Sequence, residues 1–262
     1  MPKRPDSNSK PSASSKKKAV QRPKKTQSTL SEALSGTGFP VAAIGASAGG
    51  LEAFEAFFDN MPVDAGIAFV LIAHLDPSHV SLLPELLQKH TQMPVHQVQD
   101  GMPVIPDNVY VIPPNKQLKI LNGALLLLEL PQPRASSLPI DSFFRSLATD
   151  QGNNAIGIIL SGTGTDGTLG VKAIKGGVGM VMVQDQASAK FDGMPHSAIS
   201  TGLVDYVLPP EQMPQQLIKY TNHAAYNGER VITPAEGASL NALQKIYIAL
   251  RSKTDHDFSL YK

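Results

Sequence analysis

Apolar residues first fall into order at Val41-Ala42-Ala43-Ile44, an unbroken run of the kind expected for a strand buried on both faces. Beyond a glycine turn the period changes, and Leu51, Phe54, Phe57 and Phe58 recur at helical spacing. The plan then repeats. Ile67-Ala68-Phe69-Val70-Leu71-Ile72-Ala73 reads as a second buried strand, and Leu82, Leu83, Leu86 and Leu87 mark the apolar side of a second helix. Two strand–helix units in succession predict a parallel sheet, because parallel neighbours need a crossover between them.

The middle of the chain is more β-like. A strand at 109–112 precedes Pro113-Pro114, and the apolar segments 118–121 and 125–130 flank the turn pair Asn122-Gly123, which predicts a hairpin inserted beside the sheet. After Pro131, Pro133 and Pro139, a helix over 140–149 leads into a strand over 155–160. The alternation then resumes with a helix over 167–175, a strand over 180–183, a helix from Pro195 to Ser200, a strand over 204–208 and a helix over 210–220. The fold class expected is α/β: three layers, doubly wound, with a mainly parallel sheet and an inserted β-hairpin.

Charge separates this core from its flanks. Residues 1–38 hold nine Lys or Arg against two acids, leaving 14 and 20 in the remainder, so a tail of about +7 precedes a body of about −6. Lys, Ser, Pro and Gln dominate the tail without apolar periodicity, and it is expected to be disordered. No aromatic or base-reading element accompanies its lysine clusters, so no nucleic-acid partner is expected. The core is expected over 39–223, followed by a linker over 224–236. Beyond it, Leu240, Leu243, Ile246, Tyr247 and Leu250 form an amphipathic pattern within a separate segment, 237–262.

The 262 residues contain no cysteine, which excludes disulfides and thiolate chemistry and fits a cytoplasmic protein. The longest apolar runs fall far short of the roughly 20 residues that span a bilayer, so no membrane insertion is expected. His74 and His79 lack the His-Glu-x-x-His arrangement and no third ligand accompanies them, so neither a metal nor another cofactor is expected.

Ligands of open parallel sheets gather at the carboxyl ends of strands, and three strand ends carry reactive residues. Gly45-Ala46-Ser47-Ala48-Gly49 matches Gly-x-Ser-x-Gly, in which small neighbours permit a sharp turn that presents the serine hydroxyl. His74 directly follows the second strand. Asp166 lies in Ser161-Gly162-Thr163-Gly164-Thr165-Asp166-Gly167, a glycine-rich turn after the 155–160 strand. A serine needs a base to take its proton, and an imidazole needs a carboxylate to orient it, so Ser47, His74 and Asp166 fill the three parts of a nucleophilic triad.

Each residue alone has a plainer explanation: an ordinary turn, a hydrogen-bonded histidine at a strand end, or a cap for the helix after Asp166. Their joint occurrence at three strand ends favours the triad. The first turn could also cradle a dinucleotide or a simpler anion, but Ser47 occupies the place of the glycine that would admit a pyrophosphate.

These motifs resemble the catalytic domain of the chemotaxis protein-glutamate methylesterases, the CheB family. The resemblance spans about 40–217 and rests on Ala43-Ile44-Gly45-Ala46-Ser47-Ala48-Gly49-Gly50, Ile72-Ala73-His74, Val109-Tyr110-Val111-Ile112-Pro113-Pro114, the run from Ile159 to Gly167, and Phe191-Asp192-Gly193-Met194-Pro195. It implies hydrolysis of glutamate γ-methyl esters on chemoreceptors, with deamidation of receptor glutamines in some members. It also implies nucleophile, base and acid roles for Ser47, His74 and Asp166. Oxyanion donors are expected among the backbone N–H groups of Ala48, Gly49, Thr163 and Gly164, and substrate contacts at Met194 and Pro195.

The chain departs from the family at Ala48, where Thr is common, and at Thr163, where Met is common. It also differs at Leu75-Asp76-Pro77-Ser78-His79 and in the reduction of an Arg-rich segment to Arg134-Ala135-Ser136-Ser137. These differences bear on substrate recognition, and they leave an esterase-like regulatory binding module as the alternative function. The basic tail stands where relatives carry a phosphoacceptor domain, so control by phosphorylation in cis is not expected. The segment 243–262 resembles the beginning of the chemotaxis methyltransferases, the CheR family, as in fused proteins. A fused or partner methyltransferase is therefore expected.

Overall fold

The structure, a computed structural model, describes residues 37–73, 82–130 and 138–226, with the side chains of 223–226 excepted. His74, His79, the segment 131–137, most of the basic tail and the C-terminal amphipathic segment fall outside the described residues.

Seven parallel strands form the main sheet in the order β10-β9-β8-β1-β2-β5-β3. They are β1 (Val41–Ala46), β2 (Ala68–Ala73), β3 (Val95–Gln97), β5 (Val109–Val111), β8 (Ala155–Ile159), β9 (Met180–Gln184) and β10 (Tyr206–Leu208). The chain builds outward from β1 through β2, then returns across it to start β8 on the other side. Strand order therefore reverses between β1 and β8, and the two strand ends border the crevice where this architecture collects ligands.

Alternate side chains of β1 serve the two helical layers. Ala42, Ile44 and Ala46 pack with Phe54, Phe57 and Phe58 of α1 (Gly50–Phe58), with α2 (Leu83–Leu87) and with Met213 and Leu217 of α6 (Met213–Tyr226). Val41 and Ala43 face a second cluster built from α3 (Pro139–Gln151), α4 (Thr168–Gly176) and α5 (Gly193–Ile199). Three layers result, as expected. Each fully buried Phe or Leu in them contributes roughly 1.5–3 kcal/mol of apolar burial. Among the described residues, no helix is long and apolar enough to cross a membrane.

Helix α3 packs closely against the sheet at Gly45 and Gly157 and against α4 at Gly170, because these neighbours lack side chains. A Cβ on Gly45 would lie 2.5 Å from Ile140, and Cβ atoms on Gly157 and Gly170 would lie 2.9 and 2.5 Å from Phe144. This seats the N-terminus of α3 beside the carboxyl ends of β1 and β8.

The inserted hairpin differs from expectation. β6 (Lys116–Leu121) and β7 (Ala124–Glu129) do pair around Asn122 and Gly123, whose φ values of 51° and 71° are those of a two-residue hairpin turn. A further strand, β4 (Met102–Pro103), adds to β7 and makes a three-stranded sheet. Strand β3 was likewise unexpected: at the sheet edge, Val95-His96-Gln97 needs no apolar run because little covers it. The Asp150 carboxylate accepts hydrogen bonds from Asn122 N–H and from Gly123 N–H (3.0 Å), tying the hairpin tip to α3.

Candidate active site

Strand β1 ends at Ala46, and the chain turns within three residues into α1. Gly50 N–H donates to the Ser47 carbonyl at 2.9 Å, closing the turn. Gly49 is required twice over. Its φ of 70° lies in the left-handed region, and a Cβ there would lie 2.7 Å from Ser161 Oγ and 2.9 Å from the Lys190 Cβ. Lys190 in turn pairs with Glu52 in the first turn of α1 at 2.7 Å, and this hydrogen bond holds the Glu52 carboxyl below its ordinary range. Both partners are exposed, so the pair fixes the lysine stem over the turn more than it stabilises the fold.

The second turn follows β8. Ser47 N–H donates to the Ser161 carbonyl at 3.0 Å, joining the two strand ends across the crevice. Ser161 is buried, and its hydroxyl donates to the Ala48 carbonyl (2.9 Å) while accepting from Phe191 N–H (3.0 Å). Its own N–H donates to Gln184 Oε1 at the end of β9, at 2.7 Å. Gly162 N–H donates to the Phe191 carbonyl and Met194 N–H to the Gly162 carbonyl, at 2.9 and 2.8 Å. Turns 47–50, 161–167 and 191–194 are thus one hydrogen-bonded body.

Sequence reasoning did not single out Ser161 or Gln184 as site residues. The available signal was a polar residue closing each of two wholly apolar strands. Replacing Ser161 by Ala should cost about 1 kcal/mol in urea unfolding, because it removes a buried hydroxyl that partners the Ala48 carbonyl and Phe191 N–H.

Gly162 lies against the candidate nucleophile. A Cβ at this position would come within 2.9 Å of Ser47 Cβ and 2.3 Å of Met194 Sδ. Gly162→Ala is expected to destabilise by about 1–3 kcal/mol through overpacking, read as a fall in the thermal midpoint of about 2–4 °C per kcal/mol.

Asp166 is buried at the far end of the same turn. It does not occupy the cap position of the helix that follows it: that place in α4 falls to Gly167, which has no side chain with which to cap. Instead Asp166 Oδ2 accepts from Ile140 N–H (3.0 Å) and Oδ1 from Asp141 N–H (2.9 Å), in the first turn of α3. Gly167 N–H adds a third donor at 2.9 Å. Three N–H groups hold an acceptor-only carboxylate in one orientation. Helix α3 begins with Pro139 and has no cap of its own, so the carboxylate supplied from the other chain segment serves in that place.

Between Ser47 and Asp166, Thr163, Gly164 and Thr165 are exposed. Among the described residues, none accepts a hydrogen bond from the backbone N–H groups of Ala48, Gly49, Thr163 or Gly164. N–H groups beside a serine, with the N-terminus of α1 behind those of Ala48 and Gly49, can receive a developing negative charge. Met194 is fully buried beneath Gly162, and Pro195 is buried beside it at the start of α5.

A protein-family model described as CheB methylesterase matches residues 42–217. The chain is 36% identical over 186 residues to protein-glutamate methylesterase/protein-glutamine glutaminase 1 of Xanthomonas campestris pv. campestris, covering 70% of this chain and 52% of that protein. It is 44% identical over 138 residues to an uncharacterised 104.1 kDa protein of Rhodobacter capsulatus, covering 53% of this chain and 14% of that one. Among solved structures, it resembles the CheB methylesterase catalytic domain of Thermotoga maritima with a TM-score of 0.64 and 29% identity, covering 69% of this chain and 98% of that domain. The chain spans about half the length of the curated methylesterases it matches.

Proposed function

Because the chain belongs to the CheB methylesterase family, we propose that it hydrolyses glutamate γ-methyl esters on a chemoreceptor or related signalling protein, with deamidation of glutamine as a second reaction of the same site. In this reading Ser47 Oγ attacks the γ-carbonyl while His74 takes its proton and Asp166 orients the imidazole. The tetrahedral oxyanion is met by N–H groups of Ala48 and Gly49 on one side and Thr163 and Gly164 on the other. Collapse breaks the ester C–O bond, His74 returns the proton to the leaving oxygen as methanol, and water then releases the glutamate carboxylate from Ser47. For deamidation the leaving group is ammonia. Met194 and Pro195, expected to touch substrate, are buried and back the Gly162 turn from within the core instead; neither a metal nor another cofactor takes part.

The observation that carries this reading is the junction of the Ser47 turn with the turn that ends in Asp166, held by the Ser47 N–H to Ser161 carbonyl bond of 3.0 Å. Strand register adds to it. Ala46 and Ala73 are direct partners across β1 and β2, and Ser47 and His74 are the residues that follow them. The test is methanol release from a methylated receptor signalling fragment by the purified chain. Release above the uncatalysed rate is expected. A folded chain that releases none would leave the second reading, an esterase-like regulatory binding module, which the altered 75–79 segment favours.

We further propose that the reaction takes place in the cytoplasm, on the signalling part of the receptor, and that 237–262 begins a CheR-like methyltransferase segment. The Rhodobacter capsulatus relative is a much larger protein, of which the matched region occupies 14%, so this domain does occur beside long further segments. A longer parent reading frame without methyltransferase motifs beyond Lys262 would overturn it.

A further inference from the structure

Helices α3 and α4 cap each other. Asp166, which precedes α4, accepts from the first-turn N–H groups of α3, while Asp141, in the first turn of α3, accepts from Gly170 N–H in the first turn of α4 at 2.6 Å. Asp141 also lends its own N–H to Asp166 Oδ1. Both carboxylates are buried, one residue's backbone apart. We propose that Asp141 is a positioning residue of the esterase site: it fixes the Asp166 carboxylate by locking α4 to α3, and its charge adds to the field that Asp166 exerts on the base.

This inference rests on the reading of Asp166 as the orienting acid. Two features separate Asp141 from an ordinary capping residue. First, the exchange is reciprocal, so releasing one carboxylate loosens the turn that holds the other. Second, burial pushes the Asp141 carboxyl above the ordinary carboxylate range; the Gly170 hydrogen bond opposes that rise and the neighbouring Asp166 charge adds to it. The charged groups facing Asp141 are Asp166, from the turn after β8, and Arg145, one turn further along α3, while α4 presents the N–H groups of Leu169 and Gly170. A second negative charge beside the acid favours a protonated base, so it should set the acidic limb of the kcat/KM profile at higher pH. Removing that charge should move the limb down.

The test compares Asp141→Asn with Asp141→Ala in the full chain. Asn retains an oxygen for Gly170 N–H without the charge, and Ala retains neither. Asp141→Asn should keep kcat within about threefold of the unaltered chain and shift the acidic limb down by roughly 0.5–1 pH unit. Asp141→Ala should lower kcat by about 10–100-fold with KM nearly unchanged, as expected when a catalytic group is displaced slightly. A kcat and an acidic limb unchanged in both variants would overturn the proposal. So would losses that merely follow the thermal midpoint and are equal in the two.

Carboxyl NMR provides a readout independent of turnover. The Asp141 carboxyl should titrate at lower pH in Asp166→Asn than in the unaltered chain, and an unmoved titration would sink the charge coupling. If the unaltered chain releases no methanol, the esterase reading fails by itself, and the carboxyl titration still decides whether the two acids are coupled.

Discussion

Ser47→Ala should lower methanol release from a methylated receptor by at least about 10⁴-fold, with KM little changed and the thermal midpoint within about 2 °C of the parent. The separation of activity from stability follows from what holds the turn. Its defining bonds, Ser47 N–H to the Ser161 carbonyl and Gly50 N–H to the Ser47 carbonyl, belong to the backbone and survive the substitution. Gly49 and Gly162 remain where their lack of a side chain is needed, and alanine is no larger than serine. What disappears is the oxygen proposed to attack the ester. Any residual rate would come from water meeting a carbonyl polarised by the proposed oxyanion N–H groups. Turnover within tenfold of the parent would exclude Ser47 as the nucleophile and point to direct activation of water.

Asp166→Asn has the second largest expected effect, about 10³–10⁴-fold on kcat, together with a stability loss of roughly 1–3 kcal/mol. The two losses have different origins. The carboxylate accepts at both oxygens: Asp141 and Gly167 donate to Oδ1, and Ile140 donates to Oδ2. An amide has one oxygen, so its NH₂ must face at least one backbone N–H, leaving buried donors opposed. That conflict accounts for the stability term, which urea unfolding would measure. The activity term comes from loss of the negative charge that holds an imidazole in the correct tautomer and supports its protonated form. A variant that loses stability but keeps kcat would make Asp166 a cap for α3 and nothing more.

That outcome matters because capping and catalysis draw on the same geometry. The N–H groups at the start of α3 order the carboxylate at the cost of reserving its lone pairs, and α3 reaches that position because Gly45 and Gly157 let it approach the sheet and Gly170 lets it approach α4. The proposed orienting acid is thereby attached to closely packed core residues. Substitutions at these glycines should perturb activity from a distance, as small displacements of an aligned group do.

Much of this was legible along the chain. Apolar runs at 41–44, 67–73, 155–160 and 180–183 mark strands covered on both faces, and in a parallel sheet they must be joined by crossovers, so the layered α/β class follows from periodicity alone. Glycine-rich turns after two of those runs located Ser47 and Asp166 at strand ends, where left-handed backbone at Gly49 and Gly167 favours residues without side chains. Periodicity said nothing of strand order. That β8 lies beside β1, bringing the 161–167 turn against Ser47, depends on which edges pair after 155 residues of chain. Short edge strands such as β3 and β4 carry too little apolar signal to be read, because the sheet edge does not bury them. The partners of Asp166, Asp141 and Ser161 were likewise decided by tertiary structure: a carboxylate before one helix satisfied the start of another, 25 residues or more away in sequence, because burial leaves no water to do it.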